Sequence, residues 1–209
     1  MTLRLEPLVL EGHHVRLEPL SLAHLEDLSK VAFDPELWLW TSESGGSPGD
    51  LRAYVERALQ AQRSGSVLPF ATVFRAARKA VGSTRFANFD RENRRVEIGW
   101  TWLGRGWQRT ALNTEAKYLM LCHAFENLGC IRVELKTDVL NECSRTAIRR
   151  LGATEEGVFR RHLITPSGRV RDTVYYSILE DEWPEVKARL AKRLEAGDAA
   201  AIIVPRTTG

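Results

Sequence analysis

The segment from Val96 to Glu115 concentrates the residue types that do chemistry. Glu97 sits in an alternating apolar run. Gly99, Gly104 and Gly106 follow, then Gln108, Arg109, Thr110, Ala111, Leu112 and Asn113 at what reads as a helix start. An extended run, a glycine-bearing loop and a helix start place free backbone N–H groups at the positive end of a helix. That arrangement binds a phosphate or pyrophosphate without a dedicated side chain. Arg105 and Arg109 would add charge-assisted contacts. Taken alone, a strand–loop–helix turn is more often a plain connection. A second cluster, Asn141, Cys143 and Ser144, opens another helix, where Asn and Ser ordinarily cap backbone N–H groups. A helix start can lower a thiol pKa, but alternation puts Cys143 off the cleft face and it reads as buried filler. His13, His14, His24, His123 and His162 have no metal-ligand spacing.

The elements that must position these groups alternate in type along the chain. Residues 14–18 read as a strand and 22–32 as a short helix capped at Ser21. The aromatic stretch 37–41 runs into the flexible connection 44–49. Leu51, Tyr54, Val55, Ala58 and Leu59 recur at helical spacing within 50–63. Residues 67–74, 80–89 and 96–103 read as an antiparallel meander, with 91–95 as a solvated hairpin tip. A helix over 111–128 is apolar around most of its girth, which predicts burial on most sides; Gly129 stops it. A strand over 131–137, a helix over 141–151 closed by Gly152, and strands over 157–164 and 170–179 follow. An amphipathic helix covers 183–195.

Composition narrows the function classes. The chain has 209 residues, 44% hydrophobic and 27% charged, with net charge +3. That is one domain of ordinary globular make-up, too weakly basic to require nucleic acid. No apolar run approaches the roughly 18 residues of a membrane span. Cys122, Cys130 and Cys143 lack metal spacing, and their odd number favours a reducing cytoplasm.

Two motifs together resemble the GCN5-related N-acetyltransferase (GNAT) superfamily, most closely its RimJ/RimL-like branch, over about residues 8–185. The superfamily signature Gln/Arg-x-x-Gly-x-Gly/Ala stands here as Gln108 to Asn113, with Ala111 and Asn113 at the two small positions. The next helix carries Asn141, Ser144, Leu151 and Gly152 at the family spacing, with Ile148 where many members have a tyrosine acid. The resemblance implies an α+β fold with a mixed, mostly antiparallel sheet of about seven strands flanked by helices in layers, splayed between its fourth and fifth strands. Residues 8–185 would form the acetyltransferase domain and 186–209 a helix end and tail.

The same resemblance implies acetyl-CoA as co-substrate and no metal. Backbone groups of Trp102 and Leu103 would pair with its pantetheine arm. Gln108, Arg109, Thr110, Ala111, Leu112 and Asn113 would hold its pyrophosphate, and Asn141 would hold its arm near the thioester. Glu97 is the candidate base and Ser144 the candidate acid. Against these stand a glutamate merely paired with a nearby arginine and a serine merely capping its helix. Trp38, Trp40 and Asp172 are candidates for the acceptor site, although tryptophans are as readily core and Asp172 could pair with Arg171. The implied reaction is N-acetylation of a primary amine, with a protein N-terminus or a small molecule as acceptor. A non-catalytic CoA-binding sensor is the competing class. The mixed surface suits a monomer or a homodimer.

Overall fold

The computed structural model describes residues 6–65 and 67–198. Its frame is one sheet with the strand order β1-β2-β3-β4-β5-β6-β8-β7. The strands are β1 (Leu10–Glu11), β2 (Val15–Pro19), β3 (Val67–Phe74), β4 (Lys79–Asp90), β5 (Arg95–Leu103), β6 (Arg132–Asp138), β7 (Thr154–Ile164) and β8 (Val170–Leu179). The helices are α1 (Leu25–Ser29), α2 (Pro48–Arg63), α3 (Ala111–Cys122), α4 (Glu142–Leu151) and α5 (Trp183–Asp198). The sheet has eight strands rather than about seven. The extra strand, β1, is two residues long, too short for alternation to reveal it.

Other boundaries moved for local reasons. The helix expected over 22–32 is a 3-10 turn, Leu22–His24, followed by the short α1. α2 opens at Pro48, because Ser47 Oγ accepts from the Asp50 amide at 3.2 Å and proline suits the first helical position. The helical path after Ala111 closes in a π turn, His123–Asn127, before Gly129 at φ +60°. Leu112, Ala116, Met120 and Leu121 of α3 are buried, while Tyr118, Leu119 and Cys122 are half-buried. β7 begins at Thr154, and Gly157 lies at a register shift against β8. α5 buries Val186 and Leu190 in the main core, so packed structure continues past residue 185. The remaining tail residues, 199–209, lie outside the described part.

Two cores sandwich the sheet. The larger joins Val96, Ile98, Val133, Leu135, Val174 and Tyr176 of the strands to α3, α4 and α5. Phe125 stacks on Trp183 at 5.2 Å and seats the last helix. The smaller core lies on the opposite face, under α1 and α2, and contains Leu28, Trp38, Leu51, Tyr54, Val55, Ala71 and Trp102.

The sheet opens at one place. Neighbouring strands pair antiparallel except β5 and β6, which run parallel and pair only at Arg95, Val96 and Glu97 with Arg132, Val133 and Glu134. Beyond Glu97 the facing edges of the two strands diverge. β5 also carries a bulge: Gly99 pairs with Arg85 and Trp102 with Ser83, so two residues face Thr84. Trp100 takes φ +49° there, a conformation an aromatic side chain rarely holds. The bulge turns Trp100 to one face of the sheet and Thr101 to the other. Gly82 lets the bulged strand approach, since a Cβ on it would meet the Trp102 carbonyl oxygen at 2.1 Å.

Candidate active site

The opening between β5 and β6 ends at the start of α3, where the loop presents open donors. Thr110 is the N-cap: its Oγ1 accepts from the Leu112 amide at 3.3 Å and donates to the Trp107 carbonyl at 2.8 Å. Gln108 Nε2 donates to the Leu103 carbonyl at 3.1 Å and closes the loop on the strand end. Arg109 takes φ +60°. The amides of Arg109, Thr110, Ala111 and Asn113 have no acceptor among the described residues, as befits a first helical turn. Leu112 differs: its side chain is in the core and its amide is spent on the cap. Arg105 is held by Asp34 at 3.3 Å and Glu36 at 3.1 Å, whereas the exposed Arg109 pairs with nothing among the described residues.

Trp102 and Leu103 divide in role. The Gly104 amide donates to the Val81 carbonyl at 2.9 Å. Ladder alternation therefore turns the backbone groups of Trp102 toward β4 and those of Leu103 toward the opening. The Trp102 indole packs against Trp38 at 5.1 Å, in the core under α2.

Asn141 and Ser144 stand across the opening, after β6. Asn141 Oδ1 accepts from the Ser144 amide at 3.0 Å, so Asn141 caps α4. Its Nδ2 donates to nothing among the described residues. Buried Asp138 fixes this corner: it pairs with Arg169 and, at 4.0 Å, with Arg171, and Oδ1 accepts from the Leu140 amide at 3.0 Å. Cys143 is exposed rather than buried filler, because it lies on the outer face of the strongly amphipathic α4. Ile148 is core.

Glu97 lies at the foot of the opening, on the face not covered by α3. It is 2% exposed. Its Oε2 accepts from Asn88 Nδ2 at 2.7 Å and Lys136 Nζ at 2.8 Å, while Oε1 accepts from nothing among the described residues. The partner is thus a lysine, not an arginine. Asn88, Arg95, Arg132, Lys136, Glu156 and Tyr175 join Glu97 around an open groove of about 470 Å³. Carboxylates and cations alternate there. Arg132 bonds both Glu134 and Glu156, and holds Glu156 down to about 2. Outside the groove's lining, His162 stands edge-on to Phe159 and Tyr175, which do line it. Partial desolvation against these rings first, then the nearby Lys136 and Arg171 charges, lower its pKa.

The acceptor-side candidates separate. Trp38 is core: its Nε1 donates to the Ala32 carbonyl at 2.7 Å. Trp40 is half-buried beneath Arg169, and its carbonyl accepts from Arg171 at 3.0 Å. The loop after α1 is thereby tied to β8. Asp172 does not pair with Arg171; its Oδ1 accepts from the Arg161 amide at 2.6 Å and holds the β7 bulge. Arg85, which the sequence reading passed over, is 3% exposed, pairs with Glu43 at 3.1 Å and lies over Tyr54. Lys117 and Glu115 were likewise missed, because charge inside an apolar helix pattern gives no positional signal. Among the described residues no three His, Cys, Asp or Glu are grouped to hold a metal, and no helix is long and apolar enough to cross a membrane.

The residues present fit a CoA-type ligand: open amides at a helix N-terminus, an unpaired arginine beside them, and an open strand edge. Comparison with known proteins agrees. Residues 14–154 match the family described as an acetyltransferase (GNAT) domain. A GCN5-related N-acetyltransferase from Brucella melitensis is 31% identical and superposes with TM-score 0.83, covering 90% of this chain and 86% of that one. A stretch of 102 residues, 49% of this chain, is 37% identical to the Bacillus subtilis (strain 168) protein named "Putative ribosomal N-acetyltransferase YdaF". That match spans 55% of the relative's length. Mycobacterium smegmatis RimJ in complex with CoA-disulfide shares the fold, with TM-score 0.75 at 23% identity over 90% of this chain and 93% of that one. The chain belongs to the GNAT family of N-acetyltransferases.

Proposed function

We propose that this acetyltransferase moves the acetyl group of acetyl-CoA to a primary amine, with the α-amine of a protein N-terminus as acceptor. One observation carries the reading. The β5/β6 opening leads directly to four unpaired amides at the head of α3, on the opposite side of the sheet from an open, charged groove floored by Glu97. When bound, acetyl-CoA supplies an activated acetyl thioester. The amides of Arg109, Thr110, Ala111 and Asn113 would hold its pyrophosphate, with the Arg109 guanidinium beside them. The outward amide of Leu103 would donate to its arm, the carbonyl being held by Gln108, and Asn141 Nδ2 would donate to it from across the opening.

Glu97 holds the amine. An α-ammonium has a pKa near ~8, so it arrives charged and must lose a proton before it attacks. Oε1 of Glu97 faces no donor among the described residues and would accept that proton, while Lys136 and Asn88 fix Oε2. A groove bounded by charged residues and open along one side suits an extended peptide better than a closed aromatic pocket would. The sequestration of Trp38 and Trp102 in the core points the same way. The Bacillus subtilis relative named as a ribosomal N-acetyltransferase supports a protein acceptor.

The test is calorimetric titration with acetyl-CoA and with CoA, followed by turnover on N-terminal peptides and on small amines. The reading expects one saturable site per chain and preferential turnover of peptides. Absent CoA binding would overturn it. Turnover confined to small amines would replace the peptide acceptor.

A further inference from the structure

Lys117 takes no part in the reading above, yet its placement is costly. It lies on α3, two turns in from the open amides, and is 4% exposed. Its Nζ donates to Thr84 Oγ1 at 2.9 Å and to Thr101 Oγ1 at 2.6 Å. No carboxylate pairs with it among the described residues. From β4 it meets Thr84, and from β5 Thr101. Met120 of its own helix accepts from Thr84 at 3.7 Å. The charged residues of the same strand segments, Arg85 and Glu97, project from the opposite face, toward Glu43 and Lys136. Burial alone lowers the ammonium to about 7.

The two hydroxyls differ in what lies beyond them. Thr84 is 1% exposed. Thr101 is exposed, on the bulge of β5, along the edge that β6 leaves open. Thr101 therefore connects a buried ammonium to the cleft assigned to the acetyl donor. It does so in a chain with Ile148 buried where a tyrosine acid is otherwise expected.

We propose that Lys117 is the proton reservoir of the transfer, a positioning residue that acts through the Thr101 hydroxyl on the departing sulfur. This rests on the acetyl-CoA reading. As the new N–C bond forms and the C–S bond breaks, Thr101 gives its hydroxyl proton to the sulfur, which leaves with the bonding electron pair. Thr101 takes a proton from Lys117 in the same movement. Glu97 has by then passed the ammonium's first proton to solvent; it takes the second, which nitrogen releases as the N–C bond forms, and passes that to solvent as well. Lys117 is left neutral and regains its proton from water after the products leave.

The test uses the full chain with Lys117→Met, Thr101→Val and Thr101→Ser. Calorimetry with CoA comes first. If the wild-type chain binds no CoA, the acetyl-CoA reading falls and takes this proposal with it. With binding present in all four proteins, wild type and Thr101→Ser should show a kcat that declines on the alkaline side. Lys117→Met and Thr101→Val should lose that decline and fall by ~100-fold at neutral pH, the range of a single general acid. A second readout is independent of turnover. Ultraviolet absorbance near pH 7, where Lys117 is still partly charged, should show a larger thiolate fraction of bound CoA in wild type than in Lys117→Met, because a neighbouring ammonium favours the anion. Unchanged pH profiles and an unchanged thiolate fraction overturn the proposal. If Lys117→Met does not fold, the Thr101→Val and Thr101→Ser pair decides by the same criteria.

Discussion

Glu115 offers the sharpest test of how the site is held. It is 6% exposed on α3, and its carboxylate accepts three backbone amides from the β1–β2 turn: His13 at 2.6 Å, His14 at 2.8 Å and Val15 at 2.7 Å. Gly12 makes room, since a Cβ there would meet the Glu115 carboxyl carbon at 2.5 Å. The clamp ties the helix that bears the open amides to the edge of the sheet. Gln at 115 keeps one acceptor oxygen. Placed where Oε2 stands, that oxygen still serves His14 and Val15, but the amide nitrogen then faces the His13 N–H, donor against donor. Losing one charge-assisted bond costs about 1.5–3 kcal/mol, and removing all three partners by Ala leaves buried donors at about 1–3 kcal/mol each. Glu115→Gln should therefore destabilise by about 2–3 kcal/mol and Glu115→Ala by about 4–6 kcal/mol. At roughly 2–4 °C per kcal/mol for a chain of this size, Glu115→Gln should lower Tm by roughly 4–12 °C. Urea and thermal unfolding monitored by circular dichroism measure it. A Glu115→Gln midpoint within about 1 °C of wild type would refute the clamp, because a single lost charge-assisted bond already exceeds that.

Four other outcomes follow from the same geometry. Glu97→Gln should lower kcat while leaving CoA affinity unchanged; equal kcat at saturating acceptor would remove Glu97 as the base. Lys117→Met should raise stability at neutral pH. The folded-state pKa near 7 lies below the unfolded 10.5, so the penalty of the buried ammonium is full below pH 7 and fades by about 5 kcal/mol as pH rises to 10.5. The wild-type minus Lys117→Met difference in unfolding free energy should shrink across that window, and a pH-independent difference would contradict it. Gly82→Ala should disrupt β4–β5 pairing, because its Cβ has only 2.1 Å to the Trp102 oxygen; amide exchange at β5 should accelerate, and unaltered exchange would show that the strands yield. Arg109→Ala should weaken CoA binding by about tenfold, the worth of one exposed charge-assisted contact, with Tm unmoved. An equal Kd would mean that the backbone amides suffice.

The elements were legible where one periodicity held over enough residues. The β3–β4–β5 meander, α2 and α4 announced themselves by alternation or helical spacing, because each packs one face on a core. The helix after Ala111 was legible in extent but not in its last turn, since a π turn has no compositional mark. β1 was invisible at two residues. Thr154 and the following Glu155 and Glu156 hid the start of β7, whose residues are exposed on both faces except at Leu163. The open first turn at Gln108 to Asn113 and the cap at Asn141 were readable because local backbone geometry defines both. Cys143 was misjudged because which face of α4 meets the core is not a local property.

The sequence by itself therefore determined the family, the order of most elements, and the open helix start after Gln108, all of which depend on near neighbours in the chain. The tertiary structure alone decided which charges meet. Glu97 finds Lys136 and Asn88, Asp138 finds Arg169, and Glu115 finds three amides a hundred residues away. It also decided that Trp38 and Trp102 belong to a core and that Lys117 lies beneath Thr101. The reason is physical: a buried charge is tolerated only where distant segments bring it a partner, and that convergence is set by how the layers pack rather than by any pattern along the chain.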